Sequence, residues 1–405
     1  MKKLLTLTAI LLTSTLAQAG GYQLQEYSTT NMGRAFAGAG VVGDDYSAIA
    51  FNPAGMDLKN TGIQLGASWI HLRSVFTGDL NNRATGNRIA SGQGEIRTNK
   101  IIPQFFGQKR INDRWTLGAG FYVPFGMGTY YKDKDWFGAS HAINTEITSM
   151  DFALSTSYKL LDNLVVGASV FAEYLEARLT STGSDMNAHD NTSPGYNLGV
   201  MYKPFENTRL GVAYRSKVTH KISGPHYLGP VYGMDSAKLV MPEHVLLSAY
   251  QKIGKFGLSA MARWTRWTRF DKLNITSSAL SAAGRGTFNA PTVDEDWKNV
   301  WMIGAGVDYY YCKNLTFRAG VAHDEGAVKR PRTRTARVPD SNRWLGTVGV
   351  SYQKGNWQLD MAYGHMFWKT ARTANTVRTS RGDTTLKGKY HSGLDLAGVS
   401  LQYNF

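Results

Sequence analysis

The stretch 397-AGVSLQYNF-405 decides the fold class of this chain. Every second residue in it is apolar or aromatic: Ala397, Val399, Leu401, Tyr403 and Phe405. Side chains of a strand point alternately to its two faces, so this strand has one apolar face and one small or polar face. A strand of a transmembrane barrel needs that arrangement, because one face meets lipid and the other meets the lumen.

The same period of two recurs along the chain and predicts about 14 strands, an even number typical of bacterial outer-membrane barrels. The predicted strands span 61–76, 98–109, 114–130, 145–160, 163–180, 195–204, 208–223, 241–252, 256–273, 298–312, 314–325, 342–353, 357–369 and 392–405. Short turns alternate with long polar loops, which are predicted near 77–97, 131–144, 181–194, 224–240, 274–297, 326–341 and 370–391.

This alternation of connection lengths fixes the expected architecture. Outer-membrane barrels carry short periplasmic turns and long extracellular loops, whereas a soluble sandwich does not require that asymmetry. The sequence therefore predicts an all-β fold, a transmembrane antiparallel β-barrel that occupies residues 59–405.

The amino-acid composition limits the kinds of site and of binding partner that the chain can have. The 405 residues include 45 Lys and Arg against 30 Asp and Glu, which gives a formal net charge of +15. The single cysteine, Cys312, permits no intramolecular disulfide and no multi-thiolate metal site. A basic excess is compatible with nucleic acid, but in an exported protein it indicates outer-membrane lipopolysaccharide or an anionic ligand.

Residues 1–19 have the features of a secretory signal peptide. Lys2-Lys3 forms the positive end, 4–16 is the apolar run, and 17–19 (Ala-Gln-Ala) is a small-x-small cleavage site. A retained membrane helix is disfavoured because a span needs about 20 apolar residues. The mature chain is therefore expected to begin at Gly20 and to reside in the bacterial outer membrane as a multi-pass protein.

Residues 20–58 do not follow the strand pattern and predict a plug, called here the hatch. A barrel of this size encloses an aqueous lumen unless something fills it, and the hatch precedes the first strand, so it can enter from the periplasmic end. Its Asn52-Pro53-Ala54 sequence marks a turn or the start of a short helix. We expect this motif to act as an anchor and Tyr22 to act as a mobile latch that contacts the ligand.

The chain resembles a known family at several motifs in the same order. They include 21-GYQL-24, 33-GRA-35, 44-DD-45, 52-NPA-54, 111-INDRW-115, 241-MPE-243, 316-TFRAG-320, 338-VPD-340 and 343-RW-344. On these motifs the mature chain is similar to the FadL family of outer-membrane transporters for long-chain fatty acids and other hydrophobic compounds, although the long loops match poorly. The resemblance implies a 14-stranded barrel with an N-terminal hatch. It also implies that apolar ligands pass from a surface groove to a lumenal pocket and then sideways between strands into the bilayer.

Residues 122–128, Tyr-Val-Pro-Phe-Gly-Met-Gly, interrupt the third predicted strand. Pro124 removes a ladder donor and glycine at position 126 commonly marks a bulge, so regular pairing should fail around Phe125. Unpaired backbone is costly in lipid, which offers no hydrogen bonds. The stretch Pro124-Phe125-Gly126 is either a bulge near the rim or, as the resemblance implies, the inward kink that forms the family's lateral opening.

A hydrophobic ligand with a carboxylate requires an apolar cavity and one or two cations. The resemblance places a basic ligand-binding position on the fifth predicted strand, at Arg178, while a later arginine of the family pattern is replaced around Ser181. The cluster 329–337 follows the eleventh predicted strand. Either this cluster faces lipopolysaccharide phosphates, or Arg332 or Arg334 folds inward to bind the ligand.

Aromatic residues Tyr130-Tyr131 and Trp136-Phe137 lie at and after the end of the third predicted strand. Because exposed aromatics are unusual in a polar loop, Trp136 and Phe137 are candidates for a surface that captures hydrophobic molecules. The alternative is that they pack against a neighbouring loop.

The sequence contains no recognisable catalytic constellation, and we expect no enzyme activity, cofactor or metal. His391 and Ser392 are adjacent, so strand alternation sends them to opposite faces. The expected function is passive uptake, by a monomer, of hydrophobic compounds, above all long-chain fatty acids, through ligand-gated hatch movement and lateral release at the third strand. The alternatives are an aromatic hydrocarbon channel of the same family and a general porin or adhesin.

Overall fold

The computed structural model describes residues 20–270, 272–273, 275–278, 293–379 and 382–405. The predicted signal peptide, 1–19, and most of the loop predicted near 274–297 lie outside these residues. Among the described residues, no helix is both long and apolar enough to cross a membrane.

Fourteen antiparallel strands form a closed barrel, which confirms the predicted fold class and strand number. The strands are β1 (Gly62–Asn82), β2 (Arg88–Arg110), β3 (Trp115–Tyr122 and Gly126–Tyr130), β4 (Asn144–Leu161), β5 (Leu164–Ser181), β6 (Ser184–Phe205), β7 (Thr208–Arg215 and Val218–Leu228), β8 (Val231–Met241 and His244–Ile253), β9 (Phe256–Thr265 and Ile275–Ser277), β10 (Val300–Cys312), β11 (Leu315–Asp324), β12 (Arg343–Lys354), β13 (Trp357–Trp368 and Ala371–Thr379) and β14 (Gly382–Asn404). Pairing of β14 with β1, from Gly62–Asn404 to Asn82–Thr384, closes the barrel.

Outward positions of the strands carry exposed apolar side chains that form the lipid-facing belt. Examples from around the barrel are Leu65, Leu154, Val170, Ile303, Val348, Met361 and Leu401. A belt of this kind is the outer surface that a bilayer requires.

Several predicted loops are strand, and the loop predictions there are wrong. The loop predicted for 181–194 is a tight connection between β5 and β6, and most of 77–97 belongs to β1 and β2. These strand ends project beyond the belt, where water contacts the outer face and apolar residues are not needed. The alternating pattern is therefore missing there, although the backbone ladder continues. The predicted loops 131–144 and 326–341, by contrast, are largely irregular connections.

The hatch consists of turns and three short helices: α1 (Thr29–Met32), α2 (Ala48–Phe51) and a 3-10 helix (Pro53–Leu58). Ser28 caps α1 by accepting a hydrogen bond from the Asn31 amide at 3.1 Å. Asn52 caps the 3-10 helix by accepting one from the Ala54 amide at 3.1 Å, and Pro53 occupies the first helical position, where no amide donor is needed. Nearly every hatch residue is buried inside the barrel.

Glycines line the barrel wall where the Asn52-Pro53-Ala54 motif lies against it. A Cβ at Gly167 would collide with Pro53 and the Ala54 amide, and a Cβ at Gly199 would collide with the Asn52 side chain. The Asn52 amide also donates to the Val200 carbonyl at 3.2 Å. The motif therefore contacts β5 and β6 directly, through space that only glycine leaves open.

Gly199→Ala is expected to loosen this contact. The added methyl overpacks the site, which typically costs about 1–3 kcal/mol. The matched control is Gly346→Ala on β12, where a Cβ would have no heavy atom within 4 Å. Hydrogen exchange at residues 52–58 should be faster in Gly199→Ala and unchanged in the control, and equal exchange in both variants would contradict the assignment.

Candidate functional site

The backbone ladder between β2 and β3 is interrupted. It runs from Arg110–Thr116 to Phe105–Phe121 and then stops. Side-chain contact resumes at Thr98, whose hydroxyl donates to the Gly128 carbonyl at 2.8 Å, and an isolated backbone bridge joins Ile96 and Tyr131. Within the described residues, 97–104 of β2 have no ladder partner in β3, although the upper part of β3 stays paired with β4 from Gly126–Thr148 to Tyr130–Asn144. The interruption at Pro124 thus leaves a gap in the backbone ladder beside β3.

The N-terminal residues Gly20–Leu24, called here the latch segment, fill the space inside this kink. The Leu24 amide donates to the Pro124 carbonyl at 2.8 Å, and the Gly126 amide donates to the Tyr22 carbonyl at 2.8 Å. Ser149 of β4 accepts from the Phe125 amide through its hydroxyl at 3.0 Å. Backbone groups that the kink releases are therefore satisfied by the hatch and by β4.

The Tyr22 ring sits in a cluster of four other aromatic rings, called here the Tyr22 cluster. The distances from its centroid are 6.3 Å to Phe125, 4.6 Å to Trp267, 5.7 Å to Phe270 and 5.6 Å to Trp297. Burial raises the pKa of the Tyr22 hydroxyl well above its usual value, and the nearby Glu295 and Glu173 add to the shift. The side chain is therefore neutral at any physiological pH, in an apolar environment that a hydrophobic molecule could also occupy.

A polar contact holds the start of the latch segment. The Gly20 amide nitrogen donates to Asp324 at 2.9 Å, and Arg343 bridges Asp324 and Asp340 at 2.8 and 3.0 Å. Beyond this contact, the latch is held by the two backbone bonds to the kink, by ring packing and by the Gln23 side chain, which bonds to His244 at 2.9 Å and accepts from the Thr265 hydroxyl at 2.8 Å.

The rest of the hatch is anchored by buried ions, called here the charge quartet: Arg34, Asp44, Asp308 and Arg318. Arg34 contacts Asp44 at 2.5 Å and Asp308 of β10 at 3.0 Å. Arg318 of β11 contacts the same two carboxylates at 2.9 and 3.1 Å. Burial opposes the charge on Asp44, but Arg34 and Arg318 outweigh it and lower the pKa of that carboxyl. The charge quartet therefore ties the middle of the hatch to β10 and β11.

A segment of the connection between β11 and β12 folds into the upper lumen. Ala336 and Val338 are buried, and the Tyr131 hydroxyl donates to the Ala336 carbonyl at 3.0 Å. Arg337 donates to the Asn144 carbonyl at 3.2 Å and to the Thr145 hydroxyl at 3.1 Å. Burial lowers the pKa of the Arg337 guanidinium to about 10. Among the described residues no carboxylate forms an ion pair with it.

The two arginines expected from the sequence in this segment have other surroundings. Arg332 is exposed. Arg334 is buried, but its guanidinium donates to backbone carbonyls, those of Asp340 at 2.8 Å and Val328 at 3.2 Å among them. Arg334 therefore holds the folded segment together, whereas Arg337 reaches β4 and has the charge of Glu295 nearby.

Arg178 does not join the lumenal residues. Its side chain is half exposed on the outer face of β5 and forms an ion pair with Asp185 at 2.9 Å. The expectation from the resemblance fails here because Glu173, Leu175 and Ala177 occupy the inward row, which places Arg178 on the opposite face.

Trp136 is buried, with its ring stacked on Tyr131 at 4.0 Å, and Phe137 is half-buried beside it. Both rings also lie against Phe76 of β1, at 5.8 and 5.9 Å. Trp136 therefore packs against neighbouring residues, as in the alternative stated above, and does not form an exposed capture surface. Phe137 is partly exposed. The tryptophans of the Tyr22 cluster, Trp267 and Trp297, were not predicted as site residues. Trp267 was placed in the strand predicted for 256–273, which ends at Thr265, and Trp297 was placed at the end of the loop predicted near 274–297.

Comparison with known proteins agrees with this architecture. The sequence profile described as outer membrane protein transport protein (OMPP1/FadL/TodX) matches residues 10–405. Outer membrane protein P1 of Haemophilus influenzae is 27% identical over 459 residues, which cover 98% of each chain. The long-chain fatty acid transport protein of Escherichia coli K12 is 26% identical over 401 residues, which cover 85% of this chain and 86% of that one.

Solved structures share the fold. A Pseudomonas aeruginosa FadL homologue superposes with a TM-score of 0.85 at 24% identity, covering 95% of this chain and 100% of that chain. The Pseudomonas putida toluene transporter TodX superposes with a TM-score of 0.68 at 17% identity, covering 95% and 99%. Since the profile spans nearly the whole sequence and the barrel is closed by fourteen strands around a hatch, the chain belongs to the OMPP1/FadL/TodX family of outer-membrane transport proteins.

Proposed function

We propose that this protein takes up long-chain fatty acids across the outer membrane, and that ligand-driven movement of the latch segment opens the gap beside β3. One observation carries the proposal: Tyr22 and Leu24 complete the hydrogen bonding of the kink at Pro124–Gly126, next to the opening between β2 and β3. A ligand that displaces the latch removes the inner cover of that gap. Sideways release into the bilayer follows without any need for the anchored part of the hatch to leave.

The Tyr22 cluster supplies the coupling between ligand and latch. An acyl chain that enters among Phe125, Trp267 and Trp297 competes with the Tyr22 ring for the same apolar space. Binding then favours the state in which the latch is displaced, because the ligand has higher affinity for that state than for the closed one. The ionic contacts of the charge quartet lie elsewhere and are unaffected.

Arg337 provides the charge that a fatty acid requires. A carboxylate carried into an apolar lumen needs a cation, and Arg337 is partly buried there, near Glu295 but with no ion pair among the described residues. It lies beside Tyr131, which is stacked on Trp136. The head group would therefore bind high in the lumen, with the acyl chain directed toward the Tyr22 cluster.

Arg337→Gln is expected to weaken oleate binding by about tenfold or more, since a hydrogen bond to a charged group contributes roughly 1.5–3 kcal/mol. Arg332→Gln is the matched control, because Arg332 belongs to the same segment and is exposed. Titration of each purified variant with labelled oleate measures its affinity for the fatty acid. A loss of the same size in the two variants, or no loss in Arg337→Gln, would count against the assignment.

The second candidate function is uptake of aromatic hydrocarbons. It is favoured by the Tyr22 cluster, whose lining is aromatic, and structural relatives include a toluene transporter. A host that lacks its own uptake proteins, supplied with this chain and tested on oleate and on toluene, separates the two. Retained toluene uptake and lost oleate uptake in Arg337→Gln would show that the arginine serves the carboxylate alone.

A further inference from the structure

An outward-facing group of cations lies on four neighbouring strands, β2, β1, β14 and β13. All are exposed, and they form what is called here the basic patch: Arg73, Arg97, Arg372, Lys387 and Lys389. None belongs to the lumen or the hatch, and Arg97 lies at the upper end of the stretch of β2 that has no ladder partner in β3.

The strand register places like charges directly opposite each other within this patch. Arg73 of β1 is paired with Arg97 of β2, and Arg372 of β13 is paired with Lys389 of β14. Like charges at directly opposite positions destabilise a sheet. Two such pairs on adjoining strands indicate that something outside the chain compensates their charge.

Contacts within the chain compensate only part of it. Arg73 and Arg97 share a single carboxylate oxygen of Glu95, at 2.8 and 2.9 Å, which leaves one positive charge in excess. For Arg372, Lys387 and Lys389, the described residues provide no ion pair, although Asp79 lies opposite Lys387 in the strand register. The patch therefore carries a net positive charge that is open to an anion.

The height of the patch on the barrel identifies the anion. On β1 the outward row runs from Leu65 and Trp69 in the lipid-facing belt to Arg73. Arg73 lies four residues past Trp69, about 13 Å along the strand at roughly 3.3 Å per residue. At a strand tilt of about 40° this is roughly 10 Å along the membrane normal, on the side away from the hatch entry. Arg73 and Arg97 thus face sideways, in the direction of the lipid, at the level of the outer-leaflet head groups, and the pair of Lys389 and Arg372, in register with Thr77, lies roughly 10 Å farther from the membrane centre.

We propose that the basic patch binds the phosphate groups of one lipopolysaccharide molecule of the outer leaflet. Each like-charge pair takes one phosphate, with the arginine forks donating in the paired geometry that phosphate oxygens accept. A soluble anion is not confined to the edge of the lipid-facing belt. A lipid that flanks the barrel wall, by contrast, presents its phosphates at the level of the head groups. The bound lipid covers the barrel on the side formed by β13, β14, β1 and β2.

The test replaces one cation from each pair, in the double variant Arg73→Gln/Lys389→Gln. The matched control, Lys313→Gln/Lys354→Gln, removes the same charge from exposed positions at the periplasmic turns. Native mass spectrometry of the detergent-purified proteins with added lipopolysaccharide measures lipid bound per barrel. The patch variant should bind about tenfold less or lower, given the strength of charge-assisted hydrogen bonds, and the control should match the wild type.

Two further arms identify the head group and check folding. Removing the phosphates from lipopolysaccharide should weaken its binding to the wild type. The remaining binding should be no stronger than that of intact lipopolysaccharide to the patch variant. Phosphatidylglycerol should bind weakly, and equal binding would overturn the assignment to lipopolysaccharide. Oleate affinity should be unchanged in the patch variant, which shows an intact barrel. Equal lipopolysaccharide binding by both double variants would overturn the proposal.

Discussion

A disulfide between positions 23 and 125 is expected to stop uptake while leaving the barrel intact. Gln23 of the latch segment and Phe125 of the kink form an isolated antiparallel bridge, flanked by hydrogen bonds of 2.8 Å on both sides. Pairs of this narrow type have Cα atoms about 4.5 Å apart, within the range that a disulfide spans. Gln23→Cys with Phe125→Cys therefore tethers the latch to the kink in its observed position.

The tether removes the displaced state from the ensemble. If release requires the latch to leave the kink, uptake in the oxidised variant falls to the background of a host without the protein, because a ligand cannot shift a population that no longer exists. Labelled oleate uptake in an uptake-deficient host is the measurement. Reduction of the disulfide should restore transport.

The controls isolate the tether from the substitutions. Cys312, the only native cysteine, is replaced by serine throughout so that a single pair can form. The single variants Gln23→Cys and Phe125→Cys report the effect of losing each side chain. Wild-type uptake by the fully oxidised double variant would show that the latch does not gate transport.

Loss of Arg34 is expected to release the anchored part of the hatch. Arg34 and Asp308 are both fully buried, and Arg34→Met leaves Asp44 and Asp308 with Arg318 as their one shared cation. Breaking a buried ion pair from one side costs about 3–5 kcal/mol because an uncompensated charge remains. In planar bilayers, the Arg34→Met variant should then show bursts of ion conductance as the hatch leaves the lumen. The wild type should show almost no conductance.

A charge-balanced variant provides the control for this prediction. Arg34→Met/Asp308→Leu leaves the pair Asp44–Arg318, which is separated by 2.9 Å, and so removes one charge of each sign. In the double variant the hatch should stay in the lumen most of the time, and ion conductance should therefore return close to the wild-type level. If it conducts as much as the single variant, the quartet holds the hatch by shape and not by charge.

The order of the strands and the identity of the hatch could be read from the residues. Alternation in 397–405 and its repeats elsewhere gave the closed barrel of fourteen strands, since lipid selects apolar residues at every second position of a strand. Pro124 and Gly126 marked the interruption of β3 for a similar reason, because neither residue supports a regular ladder. These signals are local and depend on a few consecutive residues.

Where the strands leave the membrane, that signal disappears. The ends of β5 and β6 continue as a hairpin across positions predicted to be loop, since water on the outer face places no demand on side-chain type. Inward and outward rows are also ambiguous in β5, because a lumen packed with apolar residues requires the same side chains as lipid does. Arg178 was assigned to the lumen because the family resemblance implies a basic position there, and the register places it outside.

The sequence by itself determined the barrel, the hatch and the kink, because each depends on the preferences of neighbouring residues in one strand or turn. Only the tertiary structure decided that the latch segment completes the backbone of the kink, that Arg337 and not Arg332 or Arg334 reaches β4 from the connection before β12, and that the outward cations form opposed pairs. Those facts depend on contacts between residues that are far apart in the chain. Barrel closure and strand register determine which of these residues come into contact.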